Sequence, residues 1–218
     1  MADAAIEEQD DGPAQGGKKP GKSKAQKRRE AKERQERERE ERIAEEKANM
    51  GPTERAIEEG QLREKLAPLG LGLREIKADG HCLYRAVEDQ LCQKAGGPMN
   101  ATYDFQMLRG KAAQYMREHP DDFLPFLMDL DGGDGDLTER FERYCDEVES
   151  TATWGGQLEL RALAQSLGVR LQVYSAHLPM VVMGEEFGGE EDALKVAYQL
   201  HSFGLGEHYN SVEPTTGA

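Results

Sequence analysis

Large apolar side chains are almost missing from the first fifty residues, recur at helical spacing up to residue 166, and then gather into short runs. Residues 25–49 read as one long polar helix, with opposite charges at i, i+4 in Glu30/Arg34, Glu33/Arg37 and Glu38/Arg42. Ile43 is the only large apolar residue there before Met50, too few for a coiled-coil seam. A helix polar on every side projects into solvent or docks on a charged partner. Gly51-Pro52 ends it, and Thr53 is placed to cap a second helix carrying Ile57, Leu62 and Leu66.

Beyond that point the pattern predicts a folded domain. Leu69-Gly70-Leu71-Gly72-Leu73 leads into a short extended run that ends in the turn-forming pair Asp79-Gly80. A helix opens at Cys82, where Leu83, Ala86, Val87 and Leu91 form one stripe. Phe105, Leu108, Ala112 and Tyr115 mark another helix over 102–118, stopped by His119-Pro120 and followed by an apolar patch at Phe123, Leu124, Phe126 and Leu127. Helices over 137–149 and 157–166 come next, separated by Thr151–Gly156, and Gly168 ends the second. Strands are predicted over 169–175, 180–183, 194–200 and 209–212. Helices first and a mostly consecutive, antiparallel sheet last give an α+β class, with helices packed on the sheet.

Charge sharpens the division. Residues 1–60 hold 14 Lys/Arg and 16 Asp/Glu, whereas 61–218 hold 14 and 26. A folded part so acidic argues against nucleic acid as its partner and suits a basic protein surface. Residues 1–17 are expected to be a disordered acidic tail, 18–50 a basic arm and charged helix, 53–213 the folded domain, and 214–218 a disordered tail. The arm has seven basic residues from Lys18 to Arg29, read as a solvated segment or as a contact for an acidic or ribosome-like surface. No apolar run is long enough to span a bilayer and no signal-peptide pattern is present, so no membrane partner is expected. Three cysteines without scaffold spacing fit a reducing compartment, cytoplasmic with nuclear entry left open by the basic arm.

Metal chemistry finds little support. The acidic loop 129–136 fails as a calcium loop, because position six is Asp134 instead of glycine and position twelve is Arg140 instead of glutamate. No CxxC or HxxxH pair offers zinc ligands, and no cofactor is expected. Cys82, by contrast, sits at a predicted helix N-terminus, where unpaired amides and the dipole favour a thiolate and leave donors for an oxyanion. A cysteine nucleophile needs a base, and His208 is preferred over His81, His119, His177 and His201. If 208–212 is extended, Asn210 shares its face and can accept from Nδ1–H, whereas the equivalent neighbour of His201 is Phe203. Against this stands the bland reading, in which Cys82 is a small buried hydrophobe and His208 a satisfied core residue. Cys92 and Cys145 read as core.

The motifs themselves add weight. Asp79-Gly80-His81-Cys82-Leu83-Tyr84-Arg85-Ala86 resembles the cysteine box of the ovarian-tumour (OTU) deubiquitinases. Trp154-Gly155-Gly156-Gln157-Leu158-Glu159-Leu160 is similar to the block around that family's variable loop, and Gly204–Val212 to its histidine box. Three blocks in order make the resemblance specific, and the OTU domain-containing protein 6 subgroup shares the charged helical N-terminal extension. The resemblance implies a papain-like cysteine protease fold acting on ubiquitin, polyubiquitin chains and ubiquitinated proteins. It implies Cys82 as nucleophile, His208 as general base and acid, Asn210 as its orienter and Asp79 as a residue shaping the loop. Amides of Gly80, His81 and Cys82 would form the oxyanion hole, with Trp154, Gly155, Gly156, Gly206 and Glu207 along the ubiquitin tail. A non-catalytic ubiquitin-binding module, or a scaffold acting through the charged helix, is the alternative.

Overall fold

The computed structural model describes residues 24–49, 53–97, 102–126, 136–203 and 206–215. Two compact units emerge, Met1–Gly51 and Pro52–Ala218, and each is taken by itself. The first is helix α1, Lys24–Asn49, whose described side chains are all exposed. Its ion pairs run Arg29–Glu33 at 3.5 Å and Arg34–Glu38 at 3.6 Å. These lie one step earlier in the repeat than the Glu-first pairs expected, and pairs so exposed contribute little each. The expectations for residues 1–17, for most of the arm, for Leu127 and for loop 129–135 lie outside the described residues, as do Gly204-Leu205 and the last three positions.

In the second unit the predicted helices form with small shifts at their ends: α2 (Glu54–Leu66), α3 (Cys82–Lys94), α4 (Phe105–Glu118), α5 (Leu137–Ser150) and α6 (Gln157–Leu167). Thr53 caps α2, its hydroxyl accepting from the Ala56 amide at 3.3 Å. Strands are β1 (Leu71–Arg74), β2 (Leu171–Ser175), β3 (Val181–Met183), β4 (Leu194–Phe203) and β5 (Gly206–Pro214). Strand β1 was anticipated only as part of an extended lead-in.

The sheet runs β1-β5-β4-β2-β3, and most of its pairings are antiparallel, as expected. Consecutive order does not hold. Strand β2 pairs parallel with β4, and β1 pairs with the far end of the chain, Arg74 opposite Ser211. The physical reason is that β3 leaves by a tight antiparallel return and becomes an edge, so β4 must cross over to reach the other side of β2.

Alternation along the strands feeds two cores. Leu194, Val196 and Tyr209 face the helices α3 to α6, meeting Leu83, Val87, Leu108 and Leu160. Ala197 and Val212 face the opposite way and meet Leu62 and Leu66 of α2. Each of those leucines is fully buried, worth about 1.5–3 kcal/mol of hydrophobic stabilisation apiece. Helix α2 also corrects an irregularity: where β4 loses register beyond Gln199, buried Glu58 accepts from the Leu200 and His201 amides, both at 2.7 Å. The fold thus brings the start of α3 against the start of β5, the two places that carry Cys82 and His208.

Candidate active site

Cys82 begins α3 as predicted, and 8% of it is exposed. The Tyr209 backbone amide, next to His208, hydrogen-bonds its thiol, as does the Leu83 amide. Strand β5 therefore touches the Cys82 thiol through its backbone. The helix start does not, however, give the depressed thiol expected from the sequence. Burial pushes the Cys82 thiol up, and the Tyr209 and Leu83 amides offset this only in part, with Asp79 adding to the rise. The resting group is a thiol that needs a base.

His208, the expected base, is 3% exposed. Its Nε2 meets Asn210 Oδ1 at 3.1 Å, so the prediction of Asn210 as its neighbour holds in position but not in atom: the partner nitrogen is Nε2, not Nδ1. The protonation follows from the network. Asn210 Oδ1 also accepts the Ile76 amide at 2.8 Å, and a backbone N–H can only donate, which fixes that atom as oxygen. Nε2 therefore carries the proton, and Nδ1 is the nitrogen able to take one. Asn210 in turn donates to Gln199 Oε1 at 2.7 Å, and Gln199 lies opposite His208 in the β4–β5 register. Burial holds the imidazole below its ordinary value, with the Asn210 bond and the Ile76 carbonyl working the other way and Arg55 reinforcing the fall. A neutral thiol faces a neutral imidazole's strand, the resting arrangement for general-base catalysis.

The loop before Cys82 is built around Asp79. Asp79 Oδ1 accepts from the His81 amide at 2.9 Å, and its backbone oxygen from the Cys82 amide at 3.2 Å. Its other carboxylate oxygen meets Arg85 Nε at 3.2 Å. Burial raises the Asp79 carboxyl, but the His81 amide and then Arg85 prevail and hold it below its usual range. Two of the three amides expected to stand ready for an oxyanion are thus already donated to Asp79, because a turn this tight closes on its own carbonyl and side chain. Gly80 is required by close approach: a Cβ there would fall 1.9 Å from the Ala152 carbonyl oxygen.

That contact joins the nucleophile loop to the Trp154-Gly155-Gly156 block. Trp154 is 49% exposed, while Gly155 is small for packing, since a Cβ would stand 2.5 Å from Leu83 Cδ2. Gly156 borders two clefts. One, of about 280 Å³, is lined by Gln157, Leu160, Tyr198, Glu207 and Tyr209 as well. The other, about 480 Å³, takes in Phe126, Tyr144 and Trp154. Gly156 and Glu207 are therefore brought together, and Trp154 lies along the neighbouring cleft. Gly206, at φ 99°, takes the left-handed backbone that starts β5. Cys145 is fully buried, whereas Cys92 is only half-buried because α3 leaves its outer edge uncovered.

Besides Glu58 of α2, two buried charges around the candidate site were not expected from the sequence. Glu159 accepts from the Tyr144 hydroxyl and from the Gly156 amide, pinning the turn into α6. Arg109, 1% exposed, reaches Gly80, His81, Val148 and Thr153. A signal existed for it: Arg109 lies on the apolar stripe of α4, four residues after Phe105 and three before Ala112. Among the described residues no cluster of three or more metal-ligating side chains occurs.

Comparison with known proteins agrees with this geometry. The pattern of the OTU-like cysteine proteases matches residues 77–209. The chain belongs to that family. It is 44% identical to deubiquitinase OTUD6B of Gallus gallus over 164 residues, 75% of this chain and 52% of that protein. Over 158 residues it is also 44% identical to the Homo sapiens protein of that name, covering 72% and 52%. Ubiquitin thioesterase otu2 of Schizosaccharomyces pombe is 34% identical over 155 residues, 71% and 49% of the two chains. The chain spans about half the length of the curated relatives it matches. Among solved structures, an OTU deubiquitinase from Wolbachia pipientis wMel has the same fold, with TM-score 0.50, 16% identity, and coverage of 67% of this chain and 90% of that one.

Proposed function

We propose that the chain is a deubiquitinating thiol protease that cleaves the bond between the C-terminal glycine of ubiquitin and a lysine amine. The observation that carries this reading is the Asn210 Oδ1 bond to His208 Nε2, on the residue next to the one whose amide holds the Cys82 thiol. Relatives named deubiquitinases support the substrate class, and so does the acidic character of residues 61–218, which suits a basic ubiquitin face.

In this mechanism His208 Nδ1 takes the thiol proton as sulfur attacks the glycine carbonyl carbon. Negative charge gathers on the carbonyl oxygen and is met by backbone donors at the start of α3, led by the Gly80 amide, since those of His81 and Cys82 are held by Asp79. The carbon–nitrogen bond then breaks, the imidazolium returns its proton to the lysine nitrogen, and an acyl thioester remains on Cys82. Water, deprotonated by His208, attacks that thioester and releases the carboxylate and the thiol. Asn210 holds the ring, Asp79 the loop. The two clefts around Gly156 take the extended tail, Trp154 lining one and Glu207 the other, its carboxylate accepting from Tyr198. Narrow walls suit glycine, which has no side chain to exclude.

The test is labelling by ubiquitin bearing a C-terminal electrophile, read by intact mass. One adduct on the wild-type chain, absent in Cys82→Ala and slowed in His208→Ala, is the expected result. Bound but unlabelled ubiquitin would favour a non-catalytic binding module. For the charged arm and α1 we propose an acidic or ribosome-like docking surface, supported by charge pattern alone, and for the chain a cytoplasmic location, supported by its three cysteines without scaffold spacing, with nuclear entry left open by the basic arm. Deleting residues 1–50 and following ribosome co-sedimentation tests the first, and unchanged sedimentation sinks it.

A further inference from the structure

Arg109 plays no part in the steps above, yet a buried cation normally lies against a carboxylate. Its four acceptors are neutral instead: the Gly80 carbonyl at 2.6 Å, the Thr153 carbonyl at 2.6 Å, the Val148 carbonyl at 2.8 Å and His81 Nδ1 at 2.9 Å. The guanidinium also lies over the Tyr84 ring, 4.2 Å from its centre. If Arg109 served only to fill α4's core face, an apolar side chain would do so without burying a charge.

What the contacts share is the backbone around the nucleophile. In a trans peptide the carbonyl and the N–H point to opposite sides. The Gly80 carbonyl is taken by Arg109, and the His81 N–H of the same peptide is taken by Asp79. One peptide, the last but one before Cys82, is therefore gripped from both sides. The same guanidinium nitrogen that holds Gly80 holds Thr153, beside Trp154-Gly155-Gly156, and Gly80 itself packs on Ala152. Planar donors in fixed geometry can bridge two carbonyls in this way, whereas an ammonium is a single point.

We infer that Arg109 is a positioning residue for the reaction: it sets the plane of the Gly80–His81 peptide, and with it the nucleophile and the oxyanion donors, against the wall of the substrate cleft. This rests on Cys82 being the nucleophile. The role predicts that loss of the fork misplaces the peptide without unfolding the domain, and misplacement of about 1 Å lowers the rate of reaction roughly a hundredfold.

The experiment compares full-length wild type, Arg109→Lys and Arg109→Gln, each checked by thermal melting and near-ultraviolet circular dichroism. Turnover of a ubiquitin C-terminal fluorogenic amide is split into kcat and KM. Folded variants whose kcat falls about a hundredfold, with KM within about threefold, support the role. Partial recovery of Arg109→Gln by added guanidinium supports it further, as a packing role would not produce it. Wild-type kcat in a folded Arg109→Lys overturns the proposal. So does loss of fold in both variants, which assigns the arginine to stability. Should wild type itself be inactive, or Cys82→Ala be labelled by the electrophile, it is the reading of Cys82 that fails, whatever the Arg109 variants do.

Discussion

The two halves of the site are held by different means. His208 rides on a strand whose neighbours are set by register: Gln199 opposite, Asn210 two residues on, Tyr209 turned the other way to Cys82. Cys82 follows a loop with no ladder to hold it, and side chains reach in to do so, Asp79 and Arg85 from one side and Arg109 from the other. A strand positions by repetition, so a single loss leaves its geometry intact. A loop positions by individual contacts, so a single loss is felt at once.

His208→Ala gives the largest effect on the strand side, lowering kcat/KM about 10³- to 10⁴-fold in the fluorogenic assay with the melting temperature little changed. On the loop side Gly80→Ala is the sharpest break. Its Cβ would meet the Ala152 carbonyl at 1.9 Å, and because that neighbour is backbone the loop must move. A loss of about 3 kcal/mol in urea unfolding is expected, with activity falling beyond what unfolding explains. Glu58→Ala perturbs only the strand side, orphaning the Leu200 and His201 amides, and costs about 2 kcal/mol by the same measurement.

Asn210→Ala tests the tautomer and lowers kcat roughly tenfold. Burial keeps His208 below its ordinary value of 6.5, so the wild-type acid limb of kcat/KM lies below that pH. Because the Asn210 bond favours the protonated ring, its removal moves the limb lower still; a limb that moves upward refutes the assignment. Tyr84→Phe is the smallest. Among the described residues the buried Tyr84 hydroxyl has no hydrogen-bond partner, so its removal relieves a desolvation cost and raises stability by about 1 kcal/mol in urea unfolding.

The same contrast decides what could be read in advance. Asn210 beside His208 follows from a period of two, and the helix opening at Cys82 follows from a stripe of period 3.6. Arg109 contacts Gly80 and Thr153 across 29 and 44 positions of sequence, and no local pattern carries such a pairing. Which nitrogen of His208 carries the proton was decided by Ile76, just beyond β1, whose amide reaches Asn210 across 134 positions of sequence. The thiol's upward shift was likewise invisible, since a helix start is local whereas burial belongs to the whole domain. Strand order failed for the same reason: the pairing of β2 with β4 skips β3, and only the assembled sheet records that.

The pairing of residue 74 with residue 211 has a kinetic side. It joins segments at opposite ends of the domain, and loop closure over such a span comes late in folding. Strand β5 carries His208, Asn210 and the amide that binds Cys82, so the base reaches the thiol only when this last strand docks between β1 and β4. A chain emerging during synthesis would thus carry Cys82 long before His208 reached it, and under the proposed function the folded sheet itself would act as the switch that arms the site.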